Sequence, residues 1–221
     1  MNSAGWQQLL LQGLAELNLD GRTGVTSLIA YGQELERWGE KLGLVHASGN
    51  DLVVRHLLDS LAGLKCVSSL VGGIVSPTLA DIGSGGGLPG APLACFLPQS
   101  TVHLVERSGR KCGFLRAAVL AAKIRNVVVR NEDFGRIRDR FTVVTLRAFR
   151  PLSEELMLEL APMIAPGGAV CAYKGRVERT RIELSSLSTA TAAGFEIEMV
   201  PLSVPFLDEE RHLVVMRKRA A

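Results

Sequence analysis

The chain has 221 residues, 47% of them hydrophobic and 21% charged, with a formal net charge of +3. That length suits one domain with a substantial core and a modest extension, and the apolar-to-charged balance excludes a disordered chain. Gly, Ser or a charge interrupts each apolar run well short of bilayer thickness, and residues 1–19 lack a basic start and a cleavage site, so we expect a cytoplasmic protein with no membrane partner.

Residues before 75 have helical periodicity. Leu9, Leu10, Leu14 and Leu17 recur at helical spacing, as do Leu28, Tyr31, Leu35 and Trp38. A third helix is expected from about Asn50, a good N-cap, with Val53, Val54, Leu57, Leu58, Leu61 and Leu64 on one broad face. Gly72, Gly73 and Pro77 mark its end and a linker. His56 and Asp59, at i and i+3, share a helix face, either as a structural pair or as part of a site.

From residue 78 short apolar runs alternate with longer helical segments. Strands are expected at 78–82, 102–105, 126–130, 142–146, 169–173, 196–200 and 212–217, and helices at 89–96, 109–123, 152–163 and 176–192. Crossovers of this length imply a parallel sheet covered on both faces. Residues 201–210 have no helical pattern, so the last two strands should form an antiparallel hairpin. The chain therefore divides into a helical extension, 1–75, and an α/β unit, 76–221.

The first strand of that unit runs into Asp81-Ile82-Gly83-Ser84-Gly85-Gly86-Gly87-Leu88-Pro89-Gly90. Strand, glycine loop and helix in that order make the ligand-binding corner of a doubly wound sheet. Gly85, Gly87 and Gly90 fit the dinucleotide pattern GxGxxG; Asp81, Gly83, Gly85 and Gly87 fit the methyltransferase pattern DxGxGxG. Charge separates the two. A carboxylate at Asp81 would repel a pyrophosphate and attract the ammonium and sulfonium of S-adenosylmethionine. Glu106 ends the second strand about 20 residues on, where an acid bonds ribose hydroxyls. Glu132 and Asp133 follow the third strand, within reach of an adenine.

Charge is unevenly spread. Residues 1–80 carry five basic and seven acidic side chains, whereas 107–150 carry twelve basic ones against Glu132, Asp133 and Asp139, a net of +9. Ten of the twelve are arginines, suited to bidentate phosphate contacts, and the block favours a polyanionic partner. Cys66, Cys95, Cys112 and Cys171 show neither CxxC spacing nor a nearby His, so buried thiols are expected and no metal. Trp6 and Trp38 fall on helix faces as packing residues.

Methylation of pyrimidine carbon calls for a cysteine nucleophile, often after Pro, and methylation of an exocyclic amine for an Asn/Asp-Pro-Pro-aromatic loop; neither pattern occurs. A ring nitrogen with its own lone pair, such as guanine N7, needs only alignment and desolvation.

Across most of its length the chain resembles the glucose-inhibited division protein B family. The resemblance rests on Arg55-His56-Leu57-Leu58-Asp59-Ser60, the loop from Asp81 through Leu93, Lys111-Cys112-Gly113-Phe114-Leu115-Arg116, Arg147-Ala148-Phe149, Tyr173-Lys174-Gly175 and Glu210 through Val215. It implies a Rossmann-like class I methyltransferase with a seven-stranded, mostly parallel sheet. It further implies methylation of guanine N7 in the 530 loop of 16S rRNA, on the RNA or the small ribosomal subunit, using S-adenosylmethionine; separately, a monomer is expected. Cofactor contacts are expected from Asp81, Gly83, Gly85, Gly87, Leu88, Glu106, Asn131, Glu132 and Arg147. Arg147 and Lys174 would serve catalysis, and Arg110, Lys111, Arg116, Arg136 and Arg211 the RNA. Three positions depart from the family pattern: Gly43-Leu44-Val45 replaces an Asn-Leu-Thr triplet, Gly86 stands where Pro is common, and Thr142 where Asp is. Left open beside this are a methyltransferase of another substrate, an NAD-dependent oxidoreductase and a non-catalytic RNA-binding module.

Overall fold

A computed structural model describes residues 3–21 and 23–219. Met1, Asn2 and Arg22 of the expected helical extension, and Ala220 and Ala221 of the α/β unit, lie outside the described residues.

The N-terminal segment contains α1 (Ser3–Glu16), α2 (Gly24–Trp38), and a helical run made of α3 (Gly49–Leu52), a π-helical stretch Val53–Leu58, α4 (Asp59–Ala62) and α5 (Leu64–Val71). Ser48, not Asn50, takes the cap position, and Asn50 falls within the first turn. The expected apolar faces are buried: Leu10, Leu14, Leu28, Tyr31, Leu35, Leu57 and Leu58 have no exposed surface. Trp38 differs. It is 41% exposed, with the Lys41 ammonium 5.2 Å from its ring centre, whereas Trp6 is buried and donates to Glu36 at 2.5 Å.

The sheet consists of β1 (Thr78–Ile82), β2 (Thr101–Val105), β3 (Val127–Arg130), β4 (Phe141–Arg147), β5 (Ile164–Lys174), β6 (Phe195–Pro201) and β7 (His212–Lys218), in the order β3-β2-β1-β4-β5-β7-β6. The first five pair parallel, and β7 runs antiparallel to both β5 and β6. The seven expected strands and the terminal hairpin are all present. β5 begins five residues early: Ile164 pairs with Phe141, and a register shift follows before Val143 meets Ala169. Pro166-Gly167-Gly168 interrupts the apolar run there and hides the strand from a pattern of alternating residues.

Between the strands lie α6 (Gly90–Phe96), α7 (Gly109–Ala121), α8 (Glu154–Leu160), α9 (Val177–Ser185) and α10 (Thr189–Ala193). The single helix expected over 176–192 is thus broken in two. Glu154 occupies the break, accepting from the Ser188 N–H and hydroxyl, each at 3.0 Å, and from Thr191.

Strand alternation sends Leu79, Leu104, Val143, Cys171 and Val215 into one core with the N-terminal helices, α6 and α7. Ala80, Ile82, Val144, Val170 and Val214 enter a second core with α8. Burial on both faces is what makes parallel strands read as nearly continuous apolar runs. Two tyrosines tie the N-terminal helices to the sheet's functional edge. Tyr31 donates to the Gly86 carbonyl at 2.7 Å and Tyr173 to the Ser60 carbonyl at 2.9 Å. Each such buried bond contributes about 1 kcal/mol. All four cysteines are free, and three are buried. No described helix is long and apolar enough to cross a membrane.

Candidate active site

The glycine loop leaves β1 at the C-terminal edge of the sheet. The Gly83 and Ser84 N–H groups donate to the Val105 carbonyl at 3.0 and 3.1 Å, which fastens the loop to the end of β2. Gly87 has φ +74°, and a Cβ there would meet the Tyr31 hydroxyl. Gly85 has φ +54° and open space beside it, the nearest atom to a Cβ being the Gly83 carbonyl oxygen at 3.8 Å. Both positions favour glycine by conformation, but Gly87 is closed by packing while Gly85 leaves a free approach.

Asp81 is not where a charge attraction to a cationic ligand would put it. Its side chain is 1% exposed and points under the loop, accepting from the Thr145 hydroxyl at 2.9 Å and the Gly90 N–H at 3.2 Å. Burial pushes its carboxyl up to about 6, although these two bonds work the other way. Asp81 therefore braces β1, β4 and α6 against one another. The acid that borders the loop is Glu106, 8% exposed, which accepts from Gly85 N–H at 3.2 Å and Ser108 N–H at 2.8 Å. Each bond takes one lone pair of a different oxygen, so the carboxylate is fixed and still able to accept. Asn131 donates to the Glu106 and Arg107 carbonyls at 3.2 and 3.0 Å, joining the ends of β2 and β3. Glu132 accepts from Arg130 at 2.5 Å, and Leu88 is buried beside the loop.

Next to this corner, beyond the ends of β4 and β5, lies a cleft of about 970 Å³. The Phe149 ring, which lines the cleft, packs where a Gly83 side chain would be, so loop and cleft adjoin at this ring. Ala148, between Arg147 and Phe149, has φ +49°, a strained conformation for a residue with a side chain. Arg147 donates to Asp59 at 3.0 Å and lies 3.2 Å from His56 Nδ1; Arg211 donates to Asp59 at 3.1 Å. Lys174 pairs with Glu183 at 2.6 Å. The Arg150 guanidinium sits 5.4 Å from the ring centres of Phe134 and Phe149. Burial, then the charges of Arg147 and Arg55, push His56 down to about 4. Its imidazole is neutral at pH 7, with Nδ1 accepting from Arg147. The Lys174 ammonium and the Leu152 N–H outweigh burial at Glu183 and hold its carboxyl below the usual range.

The structure gathers Arg147, Lys174 and Arg211 in the cleft and Gly83, Gly85, Gly87 and Glu106 at the loop. It disperses the rest of the basic set. Arg110 and Lys111 occupy the first turn of α7, where Arg110 donates to the Leu42 carbonyl at 3.4 Å. Arg136 lies in the turn after β3. Arg116, with Lys123 and Arg125, borders a different groove, of about 640 Å³, between α7 and β3. Sequence reasoning did not place Arg55, Arg176 and Arg179 in the cleft. They fall outside the basic block and reach the cleft only through the fold.

Comparison with known proteins agrees with this architecture. The family model described as rRNA small subunit methyltransferase G matches residues 25–214. A protein named ribosomal RNA small subunit methyltransferase G from Leptothrix cholodnii is 35% identical, covering 90% of this chain and 88% of its own. Among solved structures, a tRNA methyltransferase from Aquifex aeolicus superposes with a TM-score of 0.55 at 14% identity, covering 72% of this chain and 70% of that one. A fibrillarin from Aeropyrum pernix, solved with natively bound S-adenosyl-L-methionine, gives 0.50 at 14% identity, covering 69% and 74%. These likenesses show the class I Rossmann-like methyltransferase fold.

Proposed function

The chain belongs to the rRNA small subunit methyltransferase G family, and from that premise we propose that it transfers a methyl group from S-adenosylmethionine to N7 of a guanine in the 530 loop of 16S rRNA. The observation that carries the reading is the cleft: a space of about 970 Å³ beside the glycine loop, lined by Arg147, Lys174, Arg176, Arg179 and Arg211. Arginines suit RNA phosphates and the guanine O6 edge.

The loop fits the methyl donor. Gly85 is open to approach, and the fixed Glu106 carboxylate can accept from ribose hydroxyls. Gly83, Gly85, Glu106, Asn131 and Glu132 would hold the donor, with Gly87 and Leu88 packed behind the loop and Asp81 supporting it from beneath. When bound, S-adenosylmethionine supplies a methyl group activated by a sulfonium. Arg147 stands at the boundary between loop and cleft, where it can orient the base.

The cleft's own groups favour a nucleophile that has no proton to lose. Asp59 is engaged by two arginines, Glu183 by Lys174, and His56 is a weak base held by Arg147. None is suited to general-base catalysis near neutrality. A guanine N7 would take the methyl group through its own lone pair, the donor's thioether being the leaving group, so these residues would have no proton to remove. Lys174 and Arg211 would then be assigned to nucleotide positioning. In this reading residues 76–221 form the methyltransferase unit, 1–75 an extension that completes the cleft, and the chain works as a cytoplasmic monomer.

Purified protein given S-adenosylmethionine with a labelled methyl and small ribosomal subunits or their naked rRNA should place the label in 16S rRNA. Calorimetry should show binding of S-adenosylmethionine and none of NAD. Label on a protein or small molecule, or on nothing at any assembly stage, would overturn the proposal.

A further inference from the structure

Two of the cleft's arginines are held by one carboxylate. Asp59 is 5% exposed. Its Oδ2 accepts from Arg147 Nη1 at 3.0 Å and its Oδ1 from Arg211 Nε at 3.1 Å. The arginines come from the end of β4 and from the residue before β7, 88 and 152 positions along the chain. Arg147 is braced further by the Arg55 carbonyl at 3.3 Å and by His56 Nδ1 at 3.2 Å. Arg211 is braced by the Glu210 carbonyl at 2.9 Å and by Glu209, at the exposed rim, at 3.1 Å. Three such contacts on each guanidinium leave two of its five N–H groups for a ligand.

This arrangement goes beyond a stabilising ion pair. Asp59 is the buried acid shared by both guanidiniums, whereas Glu209, the second acid on Arg211, lies at the exposed rim and also pairs with Arg55 at 2.8 Å. His56, the other candidate partner, is neutral and adds no charge to offset. Asp59 also follows directly on the π-helical stretch Val53–Leu58, and such turns recur at functional sites.

We infer that Asp59 is a positioning residue: its buried carboxylate aims Arg147 and Arg211 at the target nucleotide, so that the N-terminal helical run orients a site built on the sheet. The inference rests on the cleft being the acceptor site. Asp59 touches neither substrate nor donor; it acts through the two arginines.

A mutant cycle tests it. Asp59→Asn, the double variant Arg147→Ala/Arg211→Ala and the triple variant are compared by calorimetry with S-adenosylmethionine and by methyl transfer to small subunits. Asp59→Asn should lower kcat about 30-fold, with KM for the subunit and cofactor Kd changed less than about threefold. In the double-alanine background the same substitution should cost no more than about twofold. A wild-type kcat in Asp59→Asn, or a 30-fold loss that persists in the double-alanine background, would overturn the inference. Normal methylation by the double variant would instead overturn the acceptor-site reading. Should Asp59→Asn fail to fold with two guanidiniums left without their acid, the step from double to triple variant decides. No further loss supports a role through the arginines, and a large further loss refutes it.

Discussion

The glycine-loop corner and the arginine cleft share one edge of the sheet but are built in opposite ways. The corner is made from a short stretch of chain: Asp81 to Gly90 and Glu106 to Ser108 supply most of its hydrogen bonds, and Asn131 closes it. The cleft is assembled from four distant segments, around residues 55–59, 146–151, 172–183 and 202–212. The buried acids follow the same division. Asp81 is held by a hydroxyl and a backbone N–H and is pushed up to about 6, whereas Asp59 is held by two guanidiniums. A locally built corner ought to fail locally, and a long-range cleft ought to fail when any distant contributor is removed.

The largest effect should come from the corner. Gly87→Ala places a Cβ against the Tyr31 hydroxyl at φ +74° and disturbs the bond from Tyr31 to the Gly86 carbonyl. We expect a stability loss of more than about 3 kcal/mol by chemical denaturation and loss of cofactor binding. A variant of normal stability would mean that the loop is not rigidly packed. Next comes a paired test of the division. Glu106→Gln should weaken S-adenosylmethionine binding about 10-fold and leave RNA affinity unchanged, while Arg147→Ala should lower kcat about 30-fold and leave cofactor affinity within about twofold. Matching effects from both would merge the regions into one site.

How much of each region the sequence discloses follows from the same contrast. Asp81, Gly83, Gly85, Gly87 and Glu106 are spaced by a strand, a turn and a crossover, so local pattern brings them to one corner. Even there the role of Asp81 is not legible, because its inward turn depends on Thr145, 64 residues away. Likewise, i and i+3 spacing suggests that Asp59 pairs with His56, but the guanidiniums that claim it come from the end of β4 and the approach to β7, far along the chain. The basic block between 107 and 150 is a fact of composition that folding divides: Arg147 and Arg150 enter the cleft, Arg116 another groove. Arg176 and Arg179 come in from outside the block on α9 and its approach. The parallel sheet was readable because both faces are apolar; the bulge in β5 was not, because Pro and Gly interrupt its pattern.

Smaller effects concern pH. Folding takes His56 from 6.5 to about 4, so it contributes stability that is fully present above pH 6.5 and is lost as pH falls through about 4. Asp81 rises from 3.8 to about 6, so its contribution has the opposite sign, present at low pH and lost as pH rises through about 6. Between pH 7 and pH 4 the wild type should therefore lose about 1 to 2 kcal/mol more stability than His56→Gln, allowing for partial exposure of the ring. Urea denaturation of both proteins from pH 4 to 7 checks the sign; parallel curves would show that His56 does not titrate differently on folding. The smallest effect is expected from charge outside the cleft. Arg179→Ala should reduce the salt slope of RNA binding by about one phosphate contact, and Arg116→Ala by less.

The most direct measurement is nucleoside mass spectrometry of 16S rRNA after small subunits are incubated with purified protein and S-adenosylmethionine. Transfer to a ring nitrogen without a general base predicts one new 7-methylguanosine per 16S rRNA, formed about 30-fold more slowly when Arg147→Ala replaces the wild type. A methyl group recovered on an exocyclic amine, a pyrimidine carbon or a ribose would contradict the account, since each demands deprotonation or covalent chemistry that this cleft is not arranged to perform.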